Sequence, residues 1–234
     1  MVAVESEATV EALTAVPGLV HGFGQRAPGK AAETRDDTLR RVAARVHEAG
    51  RLQTLRQVHG ARVATAPWDE PPEADAAVAE AQGLVLGILT ADCLPVLLVD
   101  PVRRQVAAAH AGWRGTALGV AREALRALVL RGSRPADVVA ALGPGIGVCC
   151  YEVGEELREA FGAQGASFFR PGPRGKPHLD VRAANVSQLE AAGLRPESIH
   201  QLAECTFCRA DRYHSYRRDG KGAGRMVSFV GFKP

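Results

Sequence analysis

Two patterns of apolar residues organise this chain: helical spacing in a few stretches, and near-continuous apolar runs in several others. Residues 36–49, DDTLRRVAARVHEA, place Leu39, Val42, Ala43 and Val46 on one face, with aspartates in front and Gly50 behind. That arrangement predicts a surface helix with a defined start and stop. Residues 117–130 repeat it with Leu118, Ala121, Leu125, Leu128 and Val129, closed by Gly132. RLQTLRQVHGARVATA reads as strand-like with a turn at His59–Gly60, and PWDEPPEAD (67–75) as an acidic, proline-rich loop. The run GLVLGILTADCLPVLLVD (83–100) reads as a strand, PVRR as a hairpin turn and QVAAAH as the returning strand. DVVAALGPGIG predicts another strand, followed by the acidic helix start EVGEELREAFG; residues 163–177 read as a Gly/Pro-rich loop. HLDVRAANVSQLEAAG predicts a short strand feeding a helix. SIHQLAECTF and GRMVSFVGF then read as strands around the basic loop SYRRDGKGAG.

Strands that come both as hairpins and separated by helices favour mixed sheets over a purely parallel array. The expected fold class is α/β of the α+β type. One domain over residues 1–234 would hold mixed β-sheets packed in the centre, with helices on the outside. Neither an internal repeat nor a low-complexity linker argues for a boundary.

Composition narrows the function classes without choosing among them. Apolar residues make up 46% and charged residues 24%, the balance of an ordinary globular protein. A net charge of +3, spread along the chain, argues only weakly for a nucleic-acid partner. The N-terminus carries acids and lacks the basic flank of a signal peptide. The apolar runs fall short of the roughly 20 residues that span a bilayer. Five cysteines without a secretion signal suggest reduced thiols in a cytoplasm. A cytoplasmic protein, monomeric or homodimeric, with neither nucleic-acid nor membrane partners, is the resulting expectation.

Four segments break the apolar pattern: QVHG (57–60), TADC (90–93), AHAGWRGT (109–116) and CTFC…YHSYRRDGKGAGR (205–225). In the first three a metal-ligand residue type sits at a predicted strand end, where side chains from separate strands can converge on rigid backbones. His59, Cys93 and His110 make a His₂Cys set. Three protein ligands leaving one open position is the pattern of a catalytic zinc, and the donors suit zinc or copper. The ligands lie 34 and 17 residues apart, a spacing no local metal motif covers. Cys93 as a small buried hydrophobe and His59 as a surface turn residue remain alternatives on spacing alone. Asp92 points to the opposite side from Cys93 if the backbone is extended, which favours a turn-fixing or supporting role, or a salt bridge to an arginine, over direct ligation.

TADCLPVLL, AAAHAGWRGT, GPGIGVCCYEVGEE and SYRRDG…GRM, in this order, resemble the YfiH/YlmD family, long labelled the multicopper polyphenol oxidase or laccase-domain family. The resemblance runs from HGFGQR (21–26) to GRMVSFV (224–230). It implies a zinc ion held by His59, Cys93 and His110, and a purine nucleoside phosphorylase with adenosine deaminase activity. Adenosine, inosine, guanosine or methylthioadenosine and phosphate would give the base and ribose 1-phosphate. On that reading His59, Cys93, His110 and Asp92 form the catalytic group.

Phosphorolysis needs an anion site, for which arginine's planar fork is suited. Arg114, Arg217 and Arg218 are the candidates, with Arg26 and Arg225 behind them; each has solvated surface as its alternative. Trp113 is expected in the core rather than as a wall for a purine. The chain departs from the family pattern at GFGQRAPGKAA, where relatives read GFSTR followed by a GGVS-like loop. The H-x-E…P-C-x-x-C signature of the familiar zinc deaminases is absent. Cys149, Cys150, Cys205 and Cys208 are expected as buried reduced thiols rather than as a second metal site, an adjacent pair being an awkward bite.

Three other functions compete. A copper polyphenol oxidase would need an axial Met, and the sole internal one is Met226. A cysteine amidase or peptidoglycan-editing hydrolase would use Cys93 as nucleophile, His110 as base and an acid as orienter. A regulatory subunit with a structural zinc is the non-enzymatic option.

Overall fold

The computed structural model describes residues 7–26, 34–173 and 175–234. Two mixed sheets stack face to face. The first has the order β1 (Glu7–Ala8), β2 (Leu19–Gly24), β13 (Met226–Phe232), β6 (Leu84–Thr90), β3 (Arg51–Thr54), antiparallel except for the parallel β6–β3 pair. The second runs β12 (Ile199–Gln201), β9 (Val139–Leu142), β7 (Leu94–Asp100), β8 (Gln105–Ala111), β5 (Ala76–Ala79), β4 (Val63–Thr65), parallel only at its two edges. A small hairpin, β10 (Phe169–Pro171) with β11 (Pro177–Leu179), stands apart.

The near-continuous apolar runs follow from burial on both faces. Leu86, Ile88, Val230 and Phe232 of the first sheet meet Leu97, Val99, Val106 and Ala108 of the second in a central core. On the outer side of the second sheet, Val96, Leu98, Ala107 and Ala109 pack against Ala121, Ala124, Leu125 and Leu128 of α4 (Val120–Val129) and Leu189 of α6 (Val181–Ala191). On the outer side of the first, Val85, Val227 and Phe229 pack against Val42 and Val46 of α2 (Arg35–Val46). A strand between two apolar layers loses the polar alternation of a half-exposed one. The layers are therefore helix, sheet, sheet, helix, as expected for mixed sheets with helices outside. Leu97, fully buried between the sheets, is a suitable probe of this core. Leu97→Ala should cost about 2–5 kcal/mol and lower the thermal midpoint by roughly 5–15 °C, whereas Val102→Ala, at a 70% exposed position, should leave it unchanged.

Several expectations need correction. The run 83–100 is two strands in different sheets, broken at Ala91–Cys93, so the chain crosses from one sheet to the other at the Asp–Cys pair. Asp92 sits there at φ +82°, which removes the extended-strand argument about where its side chain points. The 163–177 loop contains a 3₁₀ turn and the β10–β11 hairpin, and SYRRD opens with the short helix α7 (Tyr216–Asp219). In the segment 198–207 only Ile199–Gln201 is strand. Most of the divergent segment GFGQRAPGKAA lies outside the described residues. Of the remaining helices, α1 (Glu11–Thr14) precedes β2, α3 (Trp113–Ala117) follows β8, and α5 (Glu156–Phe161) follows the turn after β9.

Candidate active site

Two crossings between the sheets and one strand end meet at one end of the sandwich. β3 and β6 are parallel neighbours, and both leave the first sheet at their C-terminal ends to enter the second as β4 and β7. The Gln57 side chain joins the two crossings, donating to Leu89 O (2.7 Å) and accepting from Leu89 N (2.8 Å). β8 ends beside the start of β7, with His110 opposite Pro95. His59, Cys93 and His110 thereby converge, their donor atoms all within 4.8 Å of one another. The two imidazoles meet edge to face, centroids 4.9 Å apart.

Asp75, which the sequence did not single out, organises this group. It is fully buried and accepts hydrogen bonds from His110 Nδ1 (2.8 Å), Val58 N (3.1 Å), His59 N (2.9 Å) and Gly60 N (2.7 Å). Three successive amides folded around one carboxylate make an anion nest, and they hold His59 at φ +63°. Burial pushes the Asp75 carboxyl up, but the bonds from His110 and Gly60 outweigh it and hold the group below its ordinary value. With Nδ1 held by Asp75, His110 has Nε2 left to meet Cys93 and His59, as a lone pair for a cation once that nitrogen gives up its proton. Burial raises the Cys93 thiol, yet the charge and hydrogen bond of His110 bring it down to about 6; burial lowers His110, yet the Cys93 and Asp75 charges lift it to about 9. A thiolate beside two imidazoles, one oriented by a carboxylate, is a donor set made for a soft or borderline divalent cation. Glycine at 112 suits this closeness: a Cβ there would crowd Cys93 Sγ at 3.0 Å and His59 Cδ2 at 3.3 Å.

Asp92 is a brace. Its carboxylate accepts from Thr206 Oγ1 (2.6 Å), Ser215 Oγ (3.0 Å) and the Arg217 amide (2.7 Å), while its carbonyl accepts from Ile146 N (2.8 Å). The expected turn-fixing role is what the geometry provides; its link to Arg217 runs through the backbone rather than a salt bridge.

A cleft of about 720 Å³ opens onto the trio, lined among others by Trp113, Tyr151, Arg35, Arg56, Arg217 and Arg225. That volume is typical of small-molecule sites. Trp113 packs on the core, as expected, and also lines the cleft. Arg217 extends over the Tyr151 ring (5.3 Å) and donates to Glu152 O (2.8 Å). Of the other arginine candidates, Arg225 also lines the cleft, whereas Arg218, Arg114 and Arg26 lie outside its lining. Arg218 clamps the Thr206, Phe207 and Tyr213 carbonyls and pairs with Asp219. Arg114 is exposed with its guanidinium over the Trp113 ring, and Arg26 donates to Ala210 O (3.3 Å). Arg35 and Arg56 were missed, the first because it reads as a helix-start charge and the second because nothing in RLQTLRQ marks it. Cys149 and Cys208 are exposed, against the expectation of burial, and all five thiols are free. Met226 is buried in β13, outside the cleft lining.

Fold and site define a two-sheet α/β protein with a His₂Cys cluster at the sheet crossings. The chain matches, over residues 27–233, the family model described as multi-copper polyphenol oxidoreductase laccase. A purine nucleoside phosphorylase of Streptomyces coelicolor is 44% identical over 187 residues, covering 78% of this chain and 76% of its own. An adenosine deaminase from an unknown prokaryotic organism, RL5, is 36% identical, covering 83% of each chain. The crystal structure of YlmD from Geobacillus stearothermophilus superposes with a TM-score of 0.84 at 29% identity, over 94% of this chain and 93% of that one. The chain belongs to the YfiH/YlmD, or laccase-domain, family of enzymes.

Proposed function

We propose that this protein is a zinc-dependent purine nucleoside phosphorylase that also deaminates adenosine. The observation that carries the reading is the convergence of His59, Cys93 and His110 at the floor of a cleft with aromatic and arginine walls. Relatives named for both activities supply the substrate class. In phosphorolysis, a phosphate oxygen bonds to C1′ of the ribose as the C1′–N9 bond breaks and the base leaves with the electron pair. His59, Cys93 and His110 would hold the zinc, which when bound supplies Lewis-acid charge stabilisation in the cleft. Arg217, Arg225, Arg35 and Arg56 offer the positive charge to hold phosphate, Arg217 through a guanidinium braced over Tyr151. Trp113 and Tyr151 offer faces for the purine. Asp75 holds the His110 ring and the His59 turn, and Asp92 positions the backbone carrying Cys93 and Arg217. Among the described residues the other metal-donor cluster is four cysteines, so no array of histidines for several coppers accompanies the trio. The free thiols fit a reducing cytoplasm.

The test is product analysis by liquid chromatography. Metal-quantified protein incubated with adenosine should release adenine only with phosphate, and inosine without it; neither product from fully zinc-loaded protein overturns the reading. Arg217→Ala keeps the amide that Asp92 needs and removes only the guanidinium. It should raise KM for phosphate about 10–100-fold, the worth of one charged hydrogen-bonding group, with an unchanged KM removing Arg217 from the anion site. Gly112→Ala should leave the fold intact by circular dichroism yet lower zinc retention, because its Cβ crowds Cys93; wild-type retention would show that the turn relaxes.

One observation favours a second reading: Cys93, His110 and Asp75 are also connected as a nucleophile, base and orienter would be. His59 is surplus to such a triad. Rapid iodoacetamide alkylation of Cys93 in as-purified protein, without chelator, would favour the hydrolase; protection until zinc is removed favours ligation.

A further inference from the structure

The second group of thiols lies away from the cleft lining, where two turns meet. One turn, Gly145–Tyr151, follows β9 and carries Cys149 and Cys150; the other carries Cys205 and Cys208. The turns are stitched by a bridge pairing Gly145 with Cys205 and by Thr206 N donating to Gly145 O (3.1 Å). Across this seam the four Sγ atoms all lie within 4.8 Å of one another. Cys208 Sγ is 3.8 Å from that of Cys149 and 3.4 Å from that of Cys150. A tetrahedral cation with metal–sulfur bonds of about 2.3 Å sets sulfurs about 3.8 Å apart along each edge. The cluster is thus near the size of an S₄ shell with all four corners supplied.

The surroundings fit thiolate ligation in two further ways. Gly147 N donates to Cys205 Sγ (3.2 Å), a backbone hydrogen bond suited to a charged sulfur. A Cβ at Gly147 would lie 3.1 Å from Cys149 Sγ and 3.4 Å from Cys205 Sγ, so the turn passes against the sulfurs where only glycine fits comfortably. The adjacent pair that looks awkward in sequence works because the tight turn at Cys149–Cys150 brings both sulfurs to Cys208.

We propose that Cys149, Cys150, Cys205 and Cys208 bind a structural zinc ion, separate from the His59–Cys93–His110 centre. The site is closed, with four protein ligands and no place for substrate, so its task is to staple two turns. Those turns matter to the cleft. The first carries Ile146 and Tyr151 of its wall, and the second carries Thr206, which donates to Asp92. The four thiols release their protons as the ion binds, and no electrons are exchanged.

The experiment is metal stoichiometry on the full-length protein, with Zn²⁺ and then Co²⁺ as probes under reducing conditions. Zinc-saturated, desalted wild type should retain two equivalents per chain. Cys205→Ser/Cys208→Ser should retain one, and Cys93→Ala one. Cobalt-loaded Cys93→Ala should keep intense sulfur-to-cobalt charge-transfer bands, since its four-thiolate site is intact, while the double serine variant should lose most of that intensity. A single equivalent in wild type that Cys93→Ala abolishes overturns the proposal. So does a thiol titration of metal-stripped, unreduced protein that finds the four paired as disulfides. Should the double variant fail to fold, the cobalt spectrum of Cys93→Ala decides alone: charge-transfer bands support the site and their absence overturns it. Because each readout is metal content or a spectrum, failure of the phosphorylase reading would leave this result standing.

Discussion

Cys93→Ala should cut phosphate-dependent adenine release from adenosine at least about a thousandfold, with the protein still folded. Removing Cys93 Sγ leaves two imidazoles to hold the ion, and the several kcal/mol of charge stabilisation that a bound cation supplies goes with it; each 1.4 kcal/mol is about tenfold in rate. The fold should survive because Cys93 lies in the three-residue bend between β6 and β7, only partly buried, and contributes to neither sheet. Chromatographic product analysis beside zinc quantification of the same sample separates the possibilities. Activity lost together with zinc from this centre supports ligation. Activity lost while that zinc stays bound moves Cys93 to the role of nucleophile. Activity retained removes it from the chemistry.

Asp75→Ala is expected to cause the largest loss of stability among single changes at the site, about 3–5 kcal/mol in denaturant unfolding. The carboxylate is the common acceptor of three part-buried amides and the buried His110 ring, so its deletion leaves four donors without their acceptor. Zinc affinity should fall by a further 10–100-fold, roughly the effect of losing the group that orients a ligating histidine. Asp75→Asn separates shape from charge. Its amide nitrogen would face N–H donors that it cannot accept from, so it should sit between wild type and Asp75→Ala in both measurements. Wild-type stability and zinc affinity in Asp75→Ala would show that the His59 turn holds itself.

The site was legible where motifs state a residue type beside a glycine or a strand end. QVHG, TADC and HAGWRG mark His59, Cys93 and His110, and the structure places them together. Asp75 was not legible, because it closes an acidic, proline-rich stretch that reads as solvated loop. Its bond to His110 spans 35 residues, and the signal available was only an acid at the end of that loop just before a buried strand. Of the arginines, SYRRDG offered two adjacent ones, and α7 sends them to different tasks: Arg217 to the cleft, Arg218 to a clamp on carbonyls.

By itself the sequence determined the helix α2, the body of α4, the apolar strands and the mixed α+β class, because these follow from local spacing and from aspartate starts and glycine stops. Helix α4 begins at Val120 rather than at 117, since Gly119 at positive φ breaks the chain there and leaves Leu118 exposed. Tertiary structure decided where one apolar run becomes two strands. Leu84–Thr90 and Leu94–Asp100 are equally apolar because each is buried on both faces, so TADC shows a break between them but nothing local shows that the chain changes sheets there. The bend there needs Asp92 at positive φ, and the His59 turn needs the same of a second non-glycine residue. Both conformations are held by distant partners, the hydroxyls and amide that meet Asp92 and the carboxylate that the QVHG amides enclose. Local propensity disfavours them, and only contacts made after folding supply the compensating hydrogen bonds.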